Sequence, residues 1–258
     1  MRIFSFASLL AVGFAVFLLP ARPPHSFPQE EPQLTPQPAP PAAATGPVVV
    51  LDPAHGGTDT GARGEGGVAE KDIVLQMART VREQLVIQGY RVIMTRKDDS
   101  NPSYDDRAAI ANAYRDAIFV SLHVASTGTP GTVRAYYDQF STEIAAQPAS
   151  SAVGIRPLTL ASNLVAWEQA QRPYLELSRH FAEVVQSQLA RSFPGSPALA
   201  SGAAVRTLRS VTAPSVAIET SSISRSTRDA LTGAAGPISS AISDGISALR
   251  PLSAAGAR

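Results

Sequence analysis

The chain has 258 residues, of which 44% are hydrophobic and 17% charged, a globular composition with enough apolar material for a core. Its formal net charge of +1 leaves no basic field of the kind that nucleic acid recruits, so no nucleic-acid partner is expected. There is no cysteine, which excludes disulfides, thiolate metal sites and a cysteine nucleophile; any metal must be held by carboxylates and by the four histidines, His25, His55, His123 and His180.

Arg2 precedes an uncharged apolar run from Ile3 to Pro20. A positive start and a short hydrophobic stretch predict a secretory signal over residues 1–21, slightly short for a membrane-spanning helix. Arg22 and two prolines make a poor cleavage site, so an uncleaved signal anchor in the cytoplasmic membrane stands beside a cleaved signal peptide. Residues 22–47 are rich in Pro, Ala and Gln and predict a disordered, polyproline-like linker, with His25 as a solvated residue beside it. The expected location is therefore outside the cytoplasm, in the periplasm or cell envelope.

Ordered structure is expected from Val48. Val48–Leu51 is a continuous apolar run suited to a strand buried on both faces. It leads into the loop Asp52-Pro53-Ala54-His55-Gly56-Gly57. From Glu70 to Gln88, Ile73, Val74, Met77, Val81 and Leu85 recur at helical spacing, and Gly89 ends the helix. Tyr90–Thr95 predicts a second strand, and Ser103–Asp106 a capping box for a helix to about Arg115. Ala117–Val124 and Thr132–Asp138 read as strands three and four. Residues 139–172 are irregular. Pro173 opens a helix carrying Leu177, Phe181, Val184, Val185 and Leu189. Ala203–Leu208 and Ser215–Thr220 read as the last strands, and Arg225–Leu249 as the last helix. The fold class is α/β: a single three-layer αβα domain over residues 48–250, with a mostly parallel six-stranded sheet and a C-terminal tail, 251–258.

In such sheets ligands bind beyond the carboxyl ends of the strands. His55 follows the first strand, His123 ends the third, Glu219 ends the sixth, and Glu70 opens the helix after the first. Two histidines and a carboxylate form a known catalytic zinc set with one position left for water, and a further carboxylate can then move protons. That division makes His55, Glu70 and His123 ligands of one zinc ion and Glu219 the general acid/base of an amide hydrolase. Taken singly, His123 reads as a core histidine and Glu70 as a first-turn carboxylate favoured by the helix dipole. Glu219, as a carboxylate ending a buried strand, reads as functional by itself. Asp52 either orients a ligand histidine or bonds backbone amides at its strand end. His180 reads as a solvated helix position.

These residues resemble the zinc-dependent N-acetylmuramoyl-L-alanine amidases of the type 3 family, which hydrolyse peptidoglycan. Val49–Gly57 looks like the family's first metal motif, Glu70-Lys71-Asp72 its second, and Ser121-Leu122-His123-Val124-Ala125 its third. Thr95-Arg96 and Arg107–Asn112 match further landmarks, and Pro214–Glu219 resembles the block with the catalytic glutamate. The resemblance covers about Val48–Arg250. It implies cleavage of the amide between N-acetylmuramic acid and L-alanine of the stem peptide, with peptidoglycan as substrate and an activator protein as a partner in some relatives. Ala54, Val124-Ala125 and Thr220–Ser224 depart from the family pattern around the site. Residues 139–172, including Trp167, Glu168 and Arg172, are either a regulatory lid or a variable surface loop. A non-catalytic peptidoglycan-binding adaptor and a metallohydrolase of another amide are the competing readings. Arg63, Arg134, Arg206 and Arg209 read as surface charge that could also meet stem-peptide carboxylates.

Overall fold

The computed structural model describes residues 47–139 and 167–255. The expected signal segment and linker, most of the 139–172 insert and the last three residues lie outside the described residues. Twelve elements are numbered here in chain order: β1 (Val48–Pro53), α1 (Glu70–Ile87), β2 (Arg91–Met94), α2 (Tyr104–Asn112), β3 (Ala117–Val124), β4 (Val133–Asp138), α3 (Leu175–Ser192), β5 (Ser201–Ala203), α4 (Arg206–Arg209), β6 (Ser215–Thr220), α5 (Arg228–Thr232) and α6 (Ala235–Ala255). The six strands form one sheet in the order β2-β1-β3-β6-β4-β5. Only β4 against β6 is antiparallel; the other pairs run parallel. The expected mostly parallel six-stranded α/β sheet is what forms.

The central strands β1, β3 and β6 are apolar because both faces are covered, and the alternation of side chains decides which cover each residue meets. Val49, Leu51, Ile118, Val120, Leu122, Val216 and Ile218 enter a large core with α1, α3 and α6. Val50, Phe119 and Ala217 enter a smaller one with Ala108 and Ala111 of α2 and Leu208 of α4. The layers are thus unequal. One face carries three long helices and the other two short ones, which leaves the carboxyl edge of the second face open.

Helix boundaries follow local chemistry. Ser103 caps α2 through a reciprocal pair with Asp106, as its sequence predicts. α1 stops at Gly89, whose φ of +89° is the left-handed turn that favours glycine. Three expectations are corrected. The strand expected over Ala203–Leu208 is only Ser201–Ala203, followed by the helical turn α4. Its partner β4 ends at Asp138, and the Asp138 carboxylate instead accepts the Val205 amide at 3.0 Å, turning the chain away. The final helix is two: α5, capped by Thr227, ends at Gly233, and α6 runs on to Ala255, past the expected Leu249. The helix expected to reach Arg115 ends at Asn112, whose side chain binds the Ser210 carbonyl and the Thr212 amide.

Candidate metal centre and active site

His55, Glu70 and His123 come together. One ligand atom from each lies within 4.8 Å of the others. Glu70 Oε2 is 3.2 Å from His55 Nε2, and Oε1 is 3.2 Å from His123 Nδ1. The imidazoles stand edge-on, with ring centroids 5.6 Å apart. Two imidazole nitrogens and one carboxylate in this spacing suit a divalent ion of borderline softness with part of its coordination sphere left open. The group is able to hold a metal.

Each member is placed by a distinct device. His123 is the penultimate residue of β3, on the same face as Ser121. Glu70 is the first residue of α1 and reaches over the sheet edge. It is buried, and its oxygens accept the Ala62 and Val124 amides at 2.8 and 2.9 Å. Burial opposes its ionisation, but hydrogen bonds from His123 and His55 and the Ala62 amide hold the carboxyl well below the usual glutamate range. Gly61 lies against this pair: a Cβ there would stand 2.5 Å from Glu70 Oε2 and 2.6 Å from the His55 ring, so only glycine fits.

His55 sits in a left-handed backbone conformation, φ +61°, which a non-glycine residue adopts at a cost. Its surroundings over-determine it. Arg96 donates to the carbonyls of Pro53 and Ala54, at 2.8 Å each, and to that of Lys71. Arg107 donates to the carbonyls of Pro53 and His55 at 3.0 and 2.9 Å. Lys71 ties the Gly57 carbonyl to Asp99. The Gly56-Gly57 turn folds Asp59 back so that its Oδ2 lies 2.8 Å from His55 Nδ1. With Nδ1 donating to Asp59, it is Nε2 that an ion displacing its proton would meet. The hydrogen bond to Glu70, opposed by burial and helped by Asp59, carries the His55 imidazole up to about 8.

Asp52 touches no histidine and caps no backbone amide, so neither of its expected roles holds. Its Oδ1 accepts from Thr95 and Arg107, each at 2.6 Å, and its Oδ2 from Ser121 and Thr207 at 2.8 and 3.2 Å. Burial pushes this carboxyl up, but the Arg107 guanidinium and the Thr95 and Ser121 hydroxyls outweigh it and hold it below the usual aspartate range. Asp52 thus locks Arg107, and Arg107 locks the His55 loop.

Glu219 lies on the same rim, paired in register with His123 across β3–β6 and with Arg134 across β4–β6. It is neither fully buried nor unpartnered, contrary to the reading that singled it out. It is half-buried, and Tyr136 Oη donates to its Oε2 at 3.1 Å. Arg134 in turn reaches the Tyr136 hydroxyl at 3.4 Å. A cleft beside the histidines is lined by Asp59, Asn101, Tyr104 and Thr207. His180 is half-buried on α3 and, among the described residues, joins no group that could hold a metal. Asp59 and Tyr136 were missed from sequence. Asp59 had a faint signal, an acid two residues beyond a Gly-Gly turn; Tyr136 had none.

Two of the departures from the family pattern have a place in the packing. Val124 serves Glu70 through its backbone amide, which any residue but proline supplies, and its side chain enters the large core. In the Thr220–Ser224 segment, Ile223 is buried in the large core, while Thr220 Oγ1 and Ser222 Oγ are buried without a hydrogen-bond partner among the described residues.

Residues 49–248 match the family model described as N-acetylmuramoyl-L-alanine amidase. The chain belongs to the type 3 N-acetylmuramoyl-L-alanine amidase family. A relative of that family, the N-acetylmuramoyl-L-alanine amidase AmiC of Neisseria meningitidis, is 31% identical over 211 residues, covering 77% of this chain and 51% of its own length. The chain thus spans about half of that protein. Among solved structures, the N-acetylmuramoyl-L-alanine amidase of Clostridium difficile 630 aligns with a TM-score of 0.57 at 21% identity, over 80% of this chain and 97% of its own. The CwlD amidase of Clostridioides difficile, solved in complex with the GerS lipoprotein, aligns with a TM-score of 0.56 at 20% identity, over 80% and 99%. These likenesses establish the amidase fold. Among the described residues no helix is long and apolar enough to cross a membrane.

Proposed function

We propose that this chain is a zinc-dependent peptidoglycan hydrolase that cleaves the amide between N-acetylmuramic acid and L-alanine of the stem peptide. The observation that carries the reading is the convergence of His55, Glu70 and His123 on one point, with Glu219 in register beside His123. Family membership supplies the substrate class.

His55, Glu70 and His123 would hold the ion. Bound there, zinc supplies Lewis acidity toward a carbonyl and brings the pKa of a coordinated water to about 7. Glu219 takes the proton from the water that attacks the lactyl carbonyl carbon. As the C–N bond breaks, Glu219 returns that proton to the departing L-alanine nitrogen. Tyr136, donating to Oε2, supports the carboxylate through one hydrogen bond and leaves Oε1 to the proton. Export fits a substrate outside the cytoplasmic membrane, and the solved complex of a relative with a lipoprotein supports a protein partner for this chain as well.

Digestion of purified peptidoglycan with zinc-loaded protein, followed by mass spectrometry, tests the reading. Free stem peptides with an L-alanine N-terminus are expected. Products cut only in the glycan or within the peptide would contradict it.

A further inference from the structure

We infer that Arg206, stacked on Tyr104, is a subsite for a carboxylate of the substrate's peptide, and that this subsite makes the enzyme select acidic stem peptides over amidated ones. The inference rests on the amidase reading above.

Tyr104 is 46% exposed, one of few large apolar side chains left in solvent among the described residues. It lines the same cleft as His55 and His123. The Arg206 guanidinium lies 4.8 Å from the centre of its ring. Arg96 and Arg107 near the site have spent their donors on carbonyls and a carboxylate, and Arg134 turns to Tyr136 on the Glu219 side. On the surface, Arg179 is paired with Glu176 and Glu183. Arg206 is exposed, and Tyr104 is its one such contact among the described residues. Stacking uses the face of a guanidinium and leaves its N–H edges free for a planar carboxylate. The backbone beneath is fixed. Val205 bonds Asp138, and Thr207, itself a cleft residue, bonds the buried Asp52. The cation is therefore held on a rigid mount between two residues that line the cleft, the Tyr104 ring it covers and Thr207 next to it in the chain. A carboxylate on the residue that follows L-alanine, one peptide unit beyond the scissile amide, is the chemistry that fits.

The test uses the full zinc-loaded chain and two synthetic muramoyl dipeptides that differ only at the second residue, which carries a free carboxylate or a carboxamide. A charge-assisted pair predicts that the free acid is preferred by about tenfold or more in kcat/KM, chiefly through KM. Arg206→Gln should erase the preference, with zinc content intact. Tyr104→Leu, which removes the platform, should weaken it and reads the same subsite through a second side chain. Arg91 stacks on Tyr114 at 5.2 Å at the amino end of the strands, opposite the histidines, so Arg91→Gln should leave the preference untouched. Equal cleavage of both substrates by the parent chain, or a preference that survives Arg206→Gln, overturns the subsite while leaving the amidase reading intact. Cleavage of neither dipeptide, together with failure on whole peptidoglycan, removes the amidase reading and the subsite with it.

Discussion

The two halves of the site are built to different standards. On the His55 side, a strained backbone is held by two buried arginines, a lysine and a fully buried aspartate, each with several partners. On the Glu219 side, a half-buried carboxylate has one hydrogen bond from Tyr136 and a strand end for support. The difference matches the demands that the proposed function places on each half. A metal site selects its ion through fixed geometry, whereas a proton shuttle must serve first the water and then the leaving nitrogen. Rigidity is invested where it sets affinity, and slack is left where a group has to change partners.

The comparison can be broken from the rigid side first. Glu70→Ala should abolish zinc binding and all activity, because it removes the ligand that both histidines face and leaves the Ala62 and Val124 amides without an acceptor; metal analysis after dialysis checks it. Asp52→Asn should cost about 3–5 kcal/mol of stability at pH 7, since Arg107 is left buried with its charge unpaired, as denaturant unfolding would report. Asp52 has a depressed pKa in the folded state. Its stabilisation is therefore present above the unfolded aspartate value of about 3.9 and is lost as pH falls through the folded one. The gap between parent and variant should close in acid. Asp59→Ala should weaken zinc by about 10- to 100-fold with the fold retained, the usual effect of removing a partner of a ligand histidine; competition with a chelator measures it. The smallest effect belongs to the slack side: Tyr136→Phe should lower kcat by about fivefold, the worth of one hydrogen bond, with KM and zinc content unchanged.

What the sequence made legible follows the same division. The strands β1, β3 and β6 announced themselves because burial on both faces demands continuous apolar runs, and the helix α1 because one face is buried. The convergence of His55, Glu70 and His123 was legible because strand ends at one carboxyl edge of a parallel sheet must meet. The ties between distant segments were not. Arg96 and Arg107 stood out only as motif positions, since nothing local reveals that a guanidinium will reach carbonyls some forty to fifty residues away in sequence. Tyr136 could not be assigned because its pairing with Glu219 depends on the one antiparallel ladder in the sheet. The short strand at Ser201–Ala203 was overextended because Val205 and Leu208 look β-like, while the length of its partner set where it ended.

The proposed function separates metal holding from proton transfer, and Glu219→Gln tests that separation most directly. Zinc content and cleavage of purified peptidoglycan are measured on one preparation of the variant. The expected result is one zinc per chain, as in the parent, with release of L-alanine-terminated peptides slowed by about 10²- to 10⁴-fold. Cleavage at the parental rate, or loss of the zinc with the activity, would contradict it.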